Sequence, residues 1–186
     1  MGRDKALLPF GGTPLAQRVV DACVDGGASE ILTIGGDLEQ LARLDGVSSA
    51  LPDLHPGEGP LGGIITALRS ATCEIVVVLA CDTPFIDGQV PARLASSLAD
   101  SPDLGVVIAV VDGRDQPLTA AWRRSVALDT LQTIFDAGER APRRAFPDLH
   151  LGRIVDLDPR SVGDVDSPED LDRYAAPEPA NHGDDA

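Results

Sequence analysis

Positive charge is scarce in this 186-residue chain: 15 Lys and Arg stand against 30 Asp and Glu, a formal net charge of −15. A field of that sign repels nucleic-acid backbones and anionic membrane surfaces, which argues against sequence-independent nucleic-acid binding and against attachment to acidic lipid. Cysteine is scarce too. Cys23, Cys73 and Cys81 are odd in number and form no C-x-x-C pair. They fit neither a disulfide framework nor a zinc knuckle, and the simplest reading is a reducing compartment. No apolar run approaches the ~20 residues of a membrane span, and the charged start Met1 to Lys5 leads into no secretory apolar segment. No internal repeat is evident. The expectation is a cytoplasmic protein with neither nucleic acid nor membrane as partner.

What is present is a patterned, core-forming sequence. Hydrophobic residues make up 43% of the chain, enough for one core at a length typical of one domain. Helical spacing of Leu15, Val19, Ala22 and Cys23 predicts a helix over 14–26, with Thr13 as N-cap and Gly26-Gly27 as stop. Strands are expected at 30–34, 47–51, 75–80, 104–111, 118–122 and 154–157, and helices after Asp37 and at 63–70, 90–98, 125–137 and 168–174. The run Ile75 to Ala80 is continuous and rich in β-branched residues, as a parallel strand buried on both faces would be. Strand-helix alternation of this kind predicts a layered α/β domain over 1–174 with a mostly parallel sheet. Residues 175–186, polar and without apolar period, read as a disordered acidic tail.

Four groups of residues suit chemistry. Asp82 follows the strongest strand, and ligands gather at the carboxyl ends of strands in open α/β sheets. A carboxylate there suits Mg²⁺ against a triphosphate, or simply caps the next turn. The loop 52–63, with four glycines and three prolines, lets backbone N–H groups approach a phosphate or a flat ring, although ordinary connectors share this composition. Arg3 and Lys5, near Gly2 and Gly11-Gly12, are candidates to meet phosphate charge or belong to a solvated terminus. Arg140, Arg143 and Arg144 suit an acceptor's phosphate or a solvated surface, and Pro142 makes a regular helix there doubtful.

Taken in order, these segments resemble the molybdenum cofactor guanylyltransferases, nucleotidyltransferases with a Rossmann-like fold. Met1-Gly2-Arg3-Asp4-Lys5-Ala6 is similar to the last part of the family's L-A-G-G-x-S-x-R-M-G-x-D-K opening, and Asp53 with Pro56 to Gly63 to D-x-x-P-G-x-G-P-L-G-G. Ala80 to Phe85 resembles C-D-x-P-F/Y, Gln116-Pro117-Leu118 the Q/H-P-L segment, and Ala137 to Arg140 the A-G-E-R segment. Gly163 to Leu171 is similar to the closing N-x-N-T-P-E-D-L, with Asp164 and Asp166 where the family has Asn. The resemblance implies a three-layer Rossmann-like nucleotidyltransferase domain, with the family's first strand and glycine phosphate loop missing from this sequence.

It implies GTP and molybdopterin as substrates and Mg²⁺ as cofactor, with GMP transferred to the acceptor and pyrophosphate released. Lys5 and Asp82 are the implied catalytic residues, with Asp82 also the metal ligand. The implied nucleotide contacts are Lys5, Asp53, Gly59, Pro60, Leu61, Gly62 and Asp82. Molybdoenzymes or cofactor-assembly proteins are the implied protein partners. A related cytidylyltransferase acting on a phosphorylated acceptor, or a non-catalytic binding partner in cofactor assembly, are the alternatives. Restoring an upstream strand of about five to six residues with its glycine loop is expected to raise stability and GTP affinity together.

Overall fold

The apolar period near the start folds into helix α1 (Leu15–Asp25) in the computed structural model, which describes residues 4–163. The expected helix at 168–174, the tail at 175–186, and Arg3, Asp164 and Asp166 lie outside the described residues. Pro14 rather than Thr13 occupies the N-cap of α1, without a side-chain cap. The reason is local: Thr13–Pro14 forms strand β2, which pairs antiparallel with β1 (Pro9–Phe10). Gly11 and Gly12 turn that hairpin at φ +59° and +86°, values that favour glycine.

Strand β3 (Leu32–Ile34), helix α2 (Leu38–Leu41) and strand β4 (Ser49–Leu51) follow. Asp37 caps α2 as expected, its side chain accepting from the Gln40 amide. Helix α3 (Pro60–Ser70) begins ahead of the expected Gly63, because Pro60 brings a preset φ to the first helical position and has no N–H to satisfy there. Then come β5 (Ile75–Leu79), α4 (Gln89–Ala99), β6 (Val106–Val111), β7 (Arg114–Arg123) and α5 (Arg124–Asp136). A 3-10 segment, Pro142–Asp148, carries Arg143 and Arg144, and β8 (Leu151–Ile154) lies earlier than the expected 154–157.

The main sheet has the order β5-β7-β6-β8. Strands β5, β6 and β8 share one direction, as a mostly parallel sheet would have it, but β7 runs against β5 and β6, so the sheet is mixed. The cause is the two-residue turn Asp112-Gly113, at φ +49° and +72°, which folds β6 and β7 into a hairpin instead of a crossover. Alternate residues of β6 serve opposite faces. Val106 and Ile108 join Ile64, Leu68, Trp122 and Leu131 beneath α3 and α5, whereas Val107 and Ala109 join Val19, Val90 and Leu94 beneath α1 and α4. Helices on both faces of the sheet make three layers.

Strands β3 and β4 form a separate parallel pair. Helix α3 packs against both β3 and β5, yet no ladder joins those strands among the described residues. Among the described residues β5 is therefore paired on one edge only, with β7. All five of its residues stay partly exposed, against the expectation of a strand buried on both faces, because no neighbouring strand covers its second edge among the described residues. Amide exchange should read this difference. The β5 amides pointing away from β7 should exchange by local opening at least about tenfold faster than those of β6, which is paired on both sides. Equal protection along both strands would show that the second edge of β5 is closed.

Candidate functional site

The carboxyl ends of β3, β4 and β5 lead into Gly35-Gly36, Asp53 and Asp82. Behind Asp82, the Thr83 hydroxyl donates to the carbonyl of Ala80 at 3.0 Å and the Ile86 amide to the carbonyl of Thr83 at 3.2 Å, fixing the turn that presents the carboxylate. Lys5 reaches it across 77 residues of sequence, Nζ donating to Asp82 Oδ2 at 2.9 Å. The ammonium stands on a 3-10 turn, Lys5–Leu7, capped by Asp4, whose Oδ1 accepts from the Ala6 amide at 3.1 Å. Asp4 also ties this turn to the end of β3, its Oδ2 accepting from the Asp37 amide at 2.8 Å. Asp53 lies beside Gly35, where a Cβ would sit 3.7 Å from that of Asp53. Its Oδ1 accepts from the His55 amide and the Thr66 hydroxyl, both at 2.9 Å.

The Lys5 and Asp82 side chains are 39% and 24% exposed, so the ion pair is open to solvent and is worth only about 0.2–1 kcal/mol to the fold. Its chemical value is a cation and a carboxylate held together where a ligand can reach both. Asp82 Oδ1 accepts no hydrogen bond from the described residues, and no group of three or more His, Cys, Asp or Glu side chains gathers among them. One accessible hard carboxylate without a full cage suits Mg²⁺, which takes one or two protein carboxylates and completes its shell with phosphate oxygens and water. Cys81 contributes no thiolate. Burial first, then the charges of Asp82 and Asp4, push its thiol above the ordinary range.

The other expected nucleotide contacts divide. Gly59, at φ +82°, is the N-cap of α3, and Pro60 is exposed at its first position. Leu61 is fully buried among Ile64, Ile65 and Leu68, and Gly62 is buried with it. The Leu61 side chain therefore packs in the core, and the amides of this pair lie in the first turn of α3. Arg140 pairs with Glu58 and Arg144 lies 3.6 Å from Glu139, so neither stands as an unpaired cation. Sequence reasoning missed the Asp4 tie to the Asp37 amide and the close approach of Gly36 beside it. It also passed over the fact that Lys5 is the single lysine of the chain, a signal in plain view.

The family model described as MobA-like NTP transferase domain matches residues 1–151. The chain belongs to that family. A probable molybdenum cofactor guanylyltransferase of Chloroflexus aggregans is 34% identical to it over 184 residues, covering 91% of this chain and 85% of that protein. One from Carboxydothermus hydrogenoformans is 36% identical over 129 residues, 68% of this chain. The match spans only 60% of the length of that relative, and 63% of one from Bacillus licheniformis. Among solved structures, the molybdopterin-guanine dinucleotide biosynthesis protein A of Archaeoglobus fulgidus superposes with a TM-score of 0.70 at 24% identity, covering 91% of this chain and 87% of that one. A 2-C-methyl-D-erythritol 4-phosphate cytidylyltransferase from Thermus thermophilus gives the same TM-score at 17% identity, with 91% of each chain covered. At such identities these two show the nucleotidyltransferase fold alone.

The contact missed in this MobA-like domain can be tested directly. Gly36 has φ +74°, and a Cβ on it would lie 2.5 Å from Asp4 Oδ2 and 2.9 Å from a methyl of Leu41. Gly36→Ala should cost about 1–3 kcal/mol through left-handed strain and the lost Asp4 tie, a fall of several degrees in Tm. An unchanged thermal transition would show that Asp4 does not brace the Lys5 turn.

Proposed function

We propose that this chain transfers GMP from GTP to molybdopterin, forming the guanine dinucleotide cofactor and pyrophosphate. The observation that carries the reading is the Lys5 and Asp82 pair at the end of β5, joined through Asp4 to the end of β3 and from there to Asp53 and its glycine-rich loop. The names of the relatives supply the substrates. An acceptor phosphate oxygen attacks the α-phosphorus of GTP, the new P–O bond forms as the bond to the β-phosphate bridging oxygen breaks, and pyrophosphate carries off that electron pair. Such a displacement asks the protein mainly to align reactants and balance charge, so no side-chain nucleophile is required.

Each residue then has a physical task. Lys5 brings a point cation to the triphosphate, in a chain whose net charge of −15 would otherwise oppose an anionic substrate. Asp53, braced by Thr66 and the His55 amide, holds the nucleoside end. Leu61, Gly62 and Gly63 lie in the first turn of α3, where amides lack an intrahelical carbonyl and can donate to an anion. Asp82 would hold Mg²⁺, which when bound would neutralise phosphate charge and polarise the reacting phosphoryl group. A cytoplasmic enzyme delivering its product to molybdoenzymes or cofactor-assembly proteins completes the proposal. Among the described residues no helix is long and apolar enough to cross a membrane.

Pyrophosphate release with molybdopterin as acceptor tests the reading, with GTP and CTP compared at equal concentration. Release should require both substrates, be at least about tenfold faster with GTP, and stop when EDTA removes divalent metal. Equal turnover of CTP would move the protein to a cytidylyl class. Failure of GTP to bind at all would remove the transferase reading. Asp82→Asn, which loses one charge at nearly constant shape, should lower turnover about 100-fold or more while leaving Tm within a few degrees. Near-normal turnover in that variant would take Asp82 out of the reaction.

A further inference from the structure

Two segments of the sequence, the loop 53–60 and the end of α5, form one structural unit whose purpose neither reveals alone. The loop has little backbone pairing of its own; the amide of Glu58 donates to the carbonyl of His55 at 3.1 Å. Side chains hold it instead. The His55 ring lies 4.3 Å from the ring of Phe135 at a tilt of 48°, and the buried Nε2 of His55 has no hydrogen-bond partner among the described residues, so a tilted ring contact helps to seat this side chain. The Arg140 guanidinium stands 4.0 Å from the same Phe135 ring. Its Nη1 donates to the carbonyls of Phe135 and Glu139 at 2.9 and 2.8 Å, and its Nη2 donates to the Glu58 carboxylate.

The glycines of the loop fit around this unit. At Gly59, already at φ +82°, a Cβ would touch Cβ of Arg140 at 3.5 Å; at Gly62 it would strike Cβ of His55 at 2.7 Å. The amide of His55 in turn donates to Asp53. A continuous line of contacts therefore runs from Arg140 through Phe135 and His55 to Asp53, with a second branch through Glu58.

We propose that Arg140 is a positioning residue for the nucleotide: by clamping Glu58 and bracing Phe135 under His55, it fixes the shape in which loop 53–60 receives GTP. The proposal rests on the guanylyl-transfer reading and deepens it. Arg140 acts on GTP affinity through the loop and does not meet the acceptor's phosphate.

The test uses the full chain with Arg140→Gln, Arg140→Lys, Glu58→Gln and the double Arg140→Gln/Glu58→Gln variant. Three readouts are taken: GTP Kd by titration calorimetry, KM for each substrate with kcat, and amide exchange of residues 54–59 in the ligand-free protein. Loss of the ion pair and the ring contact should weaken GTP binding about three- to tenfold, with kcat at saturating GTP and the acceptor KM within about twofold of wild type. The double variant should be no weaker than the weaker single, because both changes break one clamp. Arg140→Lys, which keeps charge without the planar fork, should fall between. Loop amides should exchange faster in each variant.

An acceptor KM that rises while GTP Kd stays constant would overturn the proposal and return Arg140 to the acceptor side, as would effects of the two single changes that multiply. Should Arg140→Gln fail to fold, Glu58→Gln and Arg140→Lys decide by the same readouts. Wild-type protein that binds no GTP would defeat the guanylyl-transfer reading and this role with it. Wild-type binding that no variant weakens would defeat this role alone.

Discussion

Two sheets that share no ladder among the described residues must be held by side chains, and helix α3 supplies them. Leu61, Ile64, Ile65 and Leu68 are at most 1% exposed, and the helix packs against both β3 and β5. At about 1.5–3 kcal/mol for each fully buried aliphatic side chain, this face carries a sizeable part of the stability of a marginal domain. The same helix sets the site. Its Thr66 hydroxyl donates to Asp53 and its N-terminal turn closes the glycine-rich loop, so the packing that joins the sheets also places the Asp53 carboxylate. Structure and function depend here on one apolar stripe.

Electrostatics work against the overall charge. In the proposed reaction an acidic protein gains nothing from long-range steering, since its own field would repel a phosphate ligand. What it can do is arrange local cation density. Lys5 does so beside Asp82, on a turn held by Asp4 to the end of β3, and the arrangement brings a carboxylate and an ammonium within 2.9 Å. The pair costs little to open because both groups are partly exposed. A ligand carrying phosphate and metal can then exchange one ion pair for two without leaving a charge buried.

Much of the architecture was legible because its signals are local. The α1 and α4 periods, the Asp37 cap and the β-branched run of β5 each depend on residues within one element. What escaped depends on distant partners or on turn chemistry. The hairpin of β1 and β2 is too short to show a period, the Asp112-Gly113 turn reverses β7, and Pro60 opens α3 where a loop was expected. At the site, Asp82 stood out by strand position and by resemblance, and Asp53 by resemblance alone. Leu61 belonged to the same motif, yet its side chain serves the core. The role of Asp4 rests on the Asp37 amide, 33 positions away in sequence. Arg140 read as one of three cations, and only the fold shows it joined to Glu58 and Phe135.

The lone lysine has a practical side. Because every other basic side chain except histidine is an arginine, amine-selective reagents find one ε-amine in these 186 residues, and it lies 2.9 Å from Asp82. Acylation or pyridoxylation of that amine would place a reporter beside Asp82 without mutagenesis. Its rate, with and without added anion, would read occupancy of the site by any anion that shields it. The chain is in this sense labelled by nature at a single address.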